Sequence, residues 1–134
     1  MRFVFAVLVG VSCCSLGNAS EVMVGMASVD DGHATKWDGG KFHGIVSTGQ
    51  RFKATVLAVA HRTLPLESCV MVSYRGKTQK AKVFDRGPCL TAHCQRTAPE
   101  RVRNRVLDMT PAVAARLDFP GLGQVSFWRT PCNS

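Results

Sequence analysis

The chain has 134 residues, six cysteines, 7% aromatic residues and a formal net charge of +8, from 17 Lys and Arg against 9 Asp and Glu. That length suits one domain with a buried core, and the charge excess asks for an acidic partner: nucleic acid, an anionic membrane surface or a polyanionic wall polymer. No block of consecutive basic residues occurs, and aromatic residues are too few for a base-stacking platform, which sets nucleic acid aside.

Residues 1–19 read as a secretory leader. Arg2 precedes an apolar run from Phe3 to Ser12, and Gly17 and Ala19 stand at the −3 and −1 positions of a signal-peptidase site, so cleavage is expected after Ala19. The run is too short to span a bilayer, and no later run is longer. Lipid attachment at Cys13 or Cys14 is the alternative, although neither has a leucine three residues before it. Export places the protein in the periplasm or outside the cell and favours a wall polymer as the acidic partner. Residues 20–134 then form one soluble, monomeric domain holding Cys69, Cys89, Cys94 and Cys132. Four cysteines in an oxidising compartment favour two disulfides, with three possible connectivities. We favour Cys89 with Cys94, clipping a short loop, and Cys69 with Cys132, tying a central strand to the C-terminus.

The remaining elements are short and separated by turn residues, a mostly β pattern. VMVGMASV (22–29) is a first strand, and the Gly-, Asp- and His-rich stretch 30–50 is a long loop. TVLAVAH (55–61) is a second strand. CVMVSY (69–74), an RGK turn and TQKAKVFD (78–85) form a hairpin whose second arm points Lys80 and Lys82 outward and Ala81 and Val83 inward. Residues 88–104 are a basic loop carrying two cysteines, and RVLDM (105–109) is a strand. Thr110 is placed to N-cap a helix with Pro111 at its first position and Ala112, Ala115 and Leu117 facing the core. QVSFW (124–128) is the last strand. Six short strands and one short helix suggest a β barrel, since closure removes exposed edges, though periodicity alone does not separate barrel from sandwich.

Four stretches, GMASV (25–29), AHRTLPLESCVMV (60–72), VFDRGP (83–88) and RVLDMTPAVAARL (105–117), resemble in order and spacing the rare lipoprotein A-like proteins. The resemblance spans residues 25–128 and rests on AHRTLP and DRGP occurring together. It implies a six-stranded double-psi β barrel, shared with expansins and barwin, and a bacterial envelope protein acting on peptidoglycan. Characterised members of the family are endolytic lytic transglycosylases. They cut between N-acetylmuramic acid and N-acetylglucosamine without water and leave a 1,6-anhydro end. Two departures stand out: Val29 and Asp30 replace the aromatic residues that follow the family's GxAS start, and Gln50 takes the place of the glutamate in its TANGE segment. The stretch from Cys89 to Asn104 reads as an insertion.

In this chemistry the sugar's own C6 hydroxyl attacks, so one group can serve first as acid and then as base. An ordinary hydrolase needs two carboxylates. The resemblance makes Asp85 that group and His61 its assistant, by hydrogen bonding to substrate or by tuning Asp85. Read alone, an Asp before Gly-Pro is a turn residue capping its own backbone. Arg86 is expected to turn away from Asp85, into the structure or onto the substrate. Gln50 offers an amide to sugar hydroxyls, and Trp37, Phe42 and His43 are further candidate sugar contacts. Arg96, Arg101, Arg103 and Arg105 read as a solvated basic loop or as a steering field for muramyl carboxylates. Cys89, His93 and Cys94 with His33, His43 or His61 fit no zinc spacing, and Asp30, Asp31 and Asp38 lack calcium-loop spacing, so no metal or cofactor is expected. A non-catalytic, expansin-like wall-binding module and a barwin-like secreted defence protein are the alternative readings.

Overall fold

The alternating apolar stretches become six strands: β1 (Met23–Val29), β2 (Ala58–Ala60), β3 (Cys69–Tyr74), β4 (Lys77–Asp85), β5 (Arg105–Met109) and β6 (Leu122–Thr130). This is a computed structural model, and it describes residues 20–30 and 53–133. The expected leader and the loop with Trp37, His43 and Gln50 lie outside the described residues. The strands close into a barrel in the order β1-β5-β2-β4-β3-β6, which decides for barrel over sandwich. Two pairs are parallel, β1 with β5 and β2 with β4, and the rest are antiparallel.

Inward-facing residues fill the barrel with Val59, Val70, Val72, Val83, Leu107 and Phe127, all at most 1% exposed. Val72 and Phe127 sit opposite each other across β3 and β6, so the largest ring lies at a strand pairing rather than in a gap. The β3–β4 turn is tighter than the expected three residues. Tyr74 pairs with Lys77, leaving Arg75 and Gly76 at φ 44° and 82°, the two positive values that a two-residue hairpin demands. Cys69 is bonded to Cys132, and Cys89 to Cys94.

Four local expectations are corrected. β2 is paired only over Ala58–Ala60, because residues ahead of it turn: the Val56 amide donates to the Lys53 carbonyl at 3.2 Å. The stretch 88–104, expected as a solvated loop, contains two short helices, α1 (Ala92–Thr97) and α2 (Glu100–Arg103). The Thr91 side chain caps α1, and Cys89, Cys94 and Ala98 make a small core of their own with Val102. The third helix, α3 (Pro111–Leu117), buries Val113, Ala114 and Leu117, whereas Ala115 faces solvent and Ala112 is half-buried. The stripe follows 113, 114 and 117 and shares Leu117 with the expected set. Thr110 occupies the N-cap position, but its hydroxyl donates to the Val56 carbonyl at 2.6 Å and accepts from the Ala58 amide at 3.4 Å. It anchors the entry to β2 instead of capping the helix.

Candidate active site

Two register irregularities build the site. In the parallel pair β2–β4, Val59 sits opposite Val83 but Ala60 sits opposite Asp85, so Phe84 is an extra residue. A bulge re-aims the side chain next in line. Without it, strict alternation would send Asp85 into the core beside Val83. In β1–β5, Met26 faces Arg105 but Ala27 faces Leu107, so Val106 is the extra residue. It fits only because residue 25 is glycine: a Cβ there would lie 2.5 Å from Val106 Cγ2. Ala60 pairs with Asp85 on one side and Asp108 on the other, so the ends of three strands meet around β2.

Asp85 and His61 are brought together. The His61 amide donates to the Asp85 carbonyl at 3.2 Å, and the Asp85 carboxylate accepts the Arg86 amide through Oδ1 at 2.8 Å. Asp85 therefore does cap its own corner, at the mouth of the barrel. Beyond it Gly87 has φ 134°, a conformation open to glycine alone, and a cis peptide leads to Pro88.

His61 is held by its own loop. Two main-chain amides, of Thr63 and Leu64, donate to Nδ1 at 3.1 and 3.0 Å. Nδ1 must keep its lone pair, so the neutral ring carries its proton on Nε2. The ring packs edge-to-face on Phe127, 5.7 Å between centroids. Burial, and then the charges of Arg86 and Arg62, push the imidazole below its usual value of 6.5. It is a neutral donor near pH 7.

Arg86 reaches the other loop. Its guanidinium donates to the carbonyls of His61, at 3.2 Å, and Leu64. Arg62 does the converse, reaching from the loop after β2 to the exit of β4: Nε donates to Pro88 O at 2.8 Å, and Nη2 to the carbonyls of Arg103 at 2.8 Å and Arg105 at 3.1 Å. Each loop's arginine thus clamps the other loop's backbone. Arg62 was not singled out from the sequence, although it sits inside AHRTLP.

Arg105 is not part of a solvated loop. It opens β5, is half-buried, and donates from Nη1 to Ser28 Oγ at 2.8 Å, while Ser28 donates to Asp108 Oδ1. Arg105 and Asp108 form an ion pair at 3.9 Å. Arg96, Arg101 and Arg103 keep exposed side chains on α1 and α2. Trp37, His43 and Gln50 lie outside the described residues, and among the described residues no three His, Cys, Asp or Glu side chains gather as a metal site.

The sequence model of a family described as "Lytic transglycolase" matches residues 29–127. Over 90 residues the chain is 36% identical to the endolytic peptidoglycan transglycosylase RlpA of Neisseria meningitidis, covering 65% of this chain and 33% of that protein. Over 104 residues it is 34% identical to the RlpA of Pseudomonas aeruginosa, covering 75% of this chain and 25% of that protein. The chain thus spans a third or less of the length of these relatives. Among solved structures it is similar to a Streptomyces papain inhibitor, with a TM-score of 0.55 and 19% identity over 82% of this chain and 94% of that one. That likeness is one of fold.

Proposed function

The chain belongs to the lytic transglycolase family of double-psi β barrels, and from that membership we propose that it cleaves the glycan strands of peptidoglycan outside the cytoplasm, as an endolytic lytic transglycosylase. The observation that carries the reading is the meeting of Asp85 and His61 at one barrel mouth, each on a loop clamped by the other loop's arginine. A net charge of +8 suits a glycan bearing muramyl carboxylates.

In the proposed reaction Asp85 gives its proton to the O4 leaving oxygen as the C1–O4 bond breaks. The C6 hydroxyl of the same muramyl residue attacks C1, forming the C1–O6 bond, and returns its proton to Asp85. Water is not consumed, and Asp85 ends as it began. His61, neutral and fixed by its loop, donates from Nε2 to the sugar or to Asp85. Arg86 keeps the His61 loop in place, so its contribution to substrate binding is indirect. Gln50, in place of the family's glutamate, is assigned to the sugar hydroxyls through its amide, and Trp37 and His43 are further glycan contacts in this proposal.

The test is direct. The purified chain is incubated with glycan strands, with and without stem peptides, and the products are read by mass spectrometry. Anhydro-muramyl ends are expected, and Asp85→Asn should slow their formation by about 10²–10⁴-fold. Retention on the polymer with no anhydro product would leave the expansin-like binding reading instead. Equal product from Asp85→Asn would move the acid elsewhere.

A further inference from the structure

The proposed reaction builds up positive charge on the sugar ring, and a lone Asp85 that has just given its proton away from the attacking face is one carboxylate where glycosidases commonly place two. Gln50 does not supply a second. We propose that Asp108, a residue that takes no part in the proton transfers, is that second carboxylate: it holds a negative charge toward the ring carbon as the C1–O4 bond breaks. This rests on the reading of Asp85 as the acid.

Placement is the first argument. Asp85 and Asp108 both pair with Ala60, from its two sides. Their backbones are therefore two strand spacings apart, roughly 9–10 Å. Carboxylate pairs flank a glycosidic bond at a separation of about 5–9.5 Å, a span that this backbone placement allows.

Orientation is the second. Asp108 Oδ1 takes the Ser28 hydroxyl, and Ser28 Oγ accepts Arg105 Nη1 at 2.8 Å. Oδ2 is turned the other way: a Cβ on Gly87 would lie 3.9 Å from it. The carboxylate thus reaches from β1 across the end of β2 toward the corner beyond Asp85. A side chain serving only an ion pair would not need this reach, and the Arg105 contact, at 3.9 Å, is long for one. The Asp108 side chain stays 17% exposed, so a substrate in the mouth can meet it. A side chain at 87 would stand against that oxygen, and glycine puts none there.

No proton need pass through Asp108: Asp85 performs both transfers, and the atom balance of the proposed reaction is unchanged. Asp108 adds charge fixed in place before the transition state, the kind of term whose removal slows related chemistry by about 10²–10³-fold.

The experiment measures anhydro-product kinetics on glycan strands for the wild type, Asp108→Asn and Ser28→Ala, with melting temperature and glycan pull-down for each. Asp108→Asn should lower kcat about a hundredfold, with KM, pull-down and melting temperature near wild type, since the amide is isosteric. Ser28→Ala, which keeps the charge but frees its orientation, should lower kcat about tenfold with KM unchanged. If Asp108→Asn does not fold, Ser28→Ala decides: unchanged kcat overturns the proposal. Wild-type kcat in a folded Asp108→Asn also overturns it, as does a loss that only tracks loss of melting temperature or binding. These failures are distinct from failure of the reaction itself, in which the wild type forms no anhydro product and the assignment of Asp108 falls with it.

Discussion

β4 carries a charged residue at each end, Lys77 and Asp85, and the two ends of the barrel treat charge differently. At the Lys77 end the ammonium meets Asp118, both side chains more than half exposed at 54% and 74%, beside an open groove of about 470 Å³ lined by Tyr74, Arg75 and Leu117. At the Asp85 end the charged groups bind main chain: Arg86 to the His61 and Leu64 carbonyls, Arg62 to three carbonyls, Asp85 to the Arg86 amide. A lysine paired with a carboxylate in water gives up rotamer freedom for little Coulomb gain. A backbone partner is already fixed, and it leaves an unmet carbonyl if its donor goes. Charge at one end decorates the barrel, and at the other it sets the loops.

The largest expected effect tests whether the site end rests on the core beneath it. Phe127→Ala should lose about 3–5 kcal/mol of stability, read by urea unfolding. Because the ring also supports His61 at 5.7 Å, the folded fraction should turn over glycan more slowly as well. Tyr74→Ala, which removes a different edge-to-face pair, Tyr74 with Phe119 at 5.0 Å, should leave turnover per folded molecule unchanged. Equal turnover in both variants would separate the site from the core.

Next come the clamps. Arg86→Met and Arg62→Met should each cost about 1–3 kcal/mol by leaving carbonyls unmet, and double-mutant cycles with loop positions should show coupling between the two loops. Additive losses would mean that each arginine serves only its own strand end.

A smaller effect concerns pH. The folded pKa of His61 lies below 6.5, through burial and then Arg86 and Arg62. The unfolded chain therefore binds the proton first. The associated stability is complete above 6.5 and is lost as pH falls through the lower folded value. Urea unfolding between about pH 5 and 8 should show a steeper acid-side decline for the wild type than for His61→Gln, and identical profiles would place the titration elsewhere. The smallest effect belongs to the far end: Lys77→Met should change stability by less than about 1 kcal/mol, and a loss equal to that of Arg86→Met would erase the contrast.

Much of the barrel was legible because its strands alternate cleanly: Ala81 and Val83 against Lys82, or Val70 and Val72 within β3. Asp85 and His61 were legible through the motifs around them. The Ser28–Arg105–Asp108 set was not, for a reason of parity. Three residues apart on a regular strand, Arg105 and Asp108 face opposite ways. Only the extra residue at Val106 brings them to one side, and nothing in RVLDM announces a bulge. Arg62 was hidden differently: its partners are carbonyls of residues 88, 103 and 105, and backbone acceptors leave no trace in side-chain identity. The helices α1 and α2 are six and four residues long, too short for a periodic signal.

One guanidinium receives both ends of the excursion between β4 and β5, since Arg62 binds Pro88 O on the way out and Arg103 O and Arg105 O on the way back. With the base gathered there, lengthening the chain in between is thermodynamically mild, about 0.6 kcal/mol for each doubling of a flexible loop. The segment is in effect a socket. Residues 95–102 can be exchanged for a shorter or longer piece, natural or grafted, with the Cys89–Cys94 bond kept at the base, and the new surface would open beside the barrel mouth.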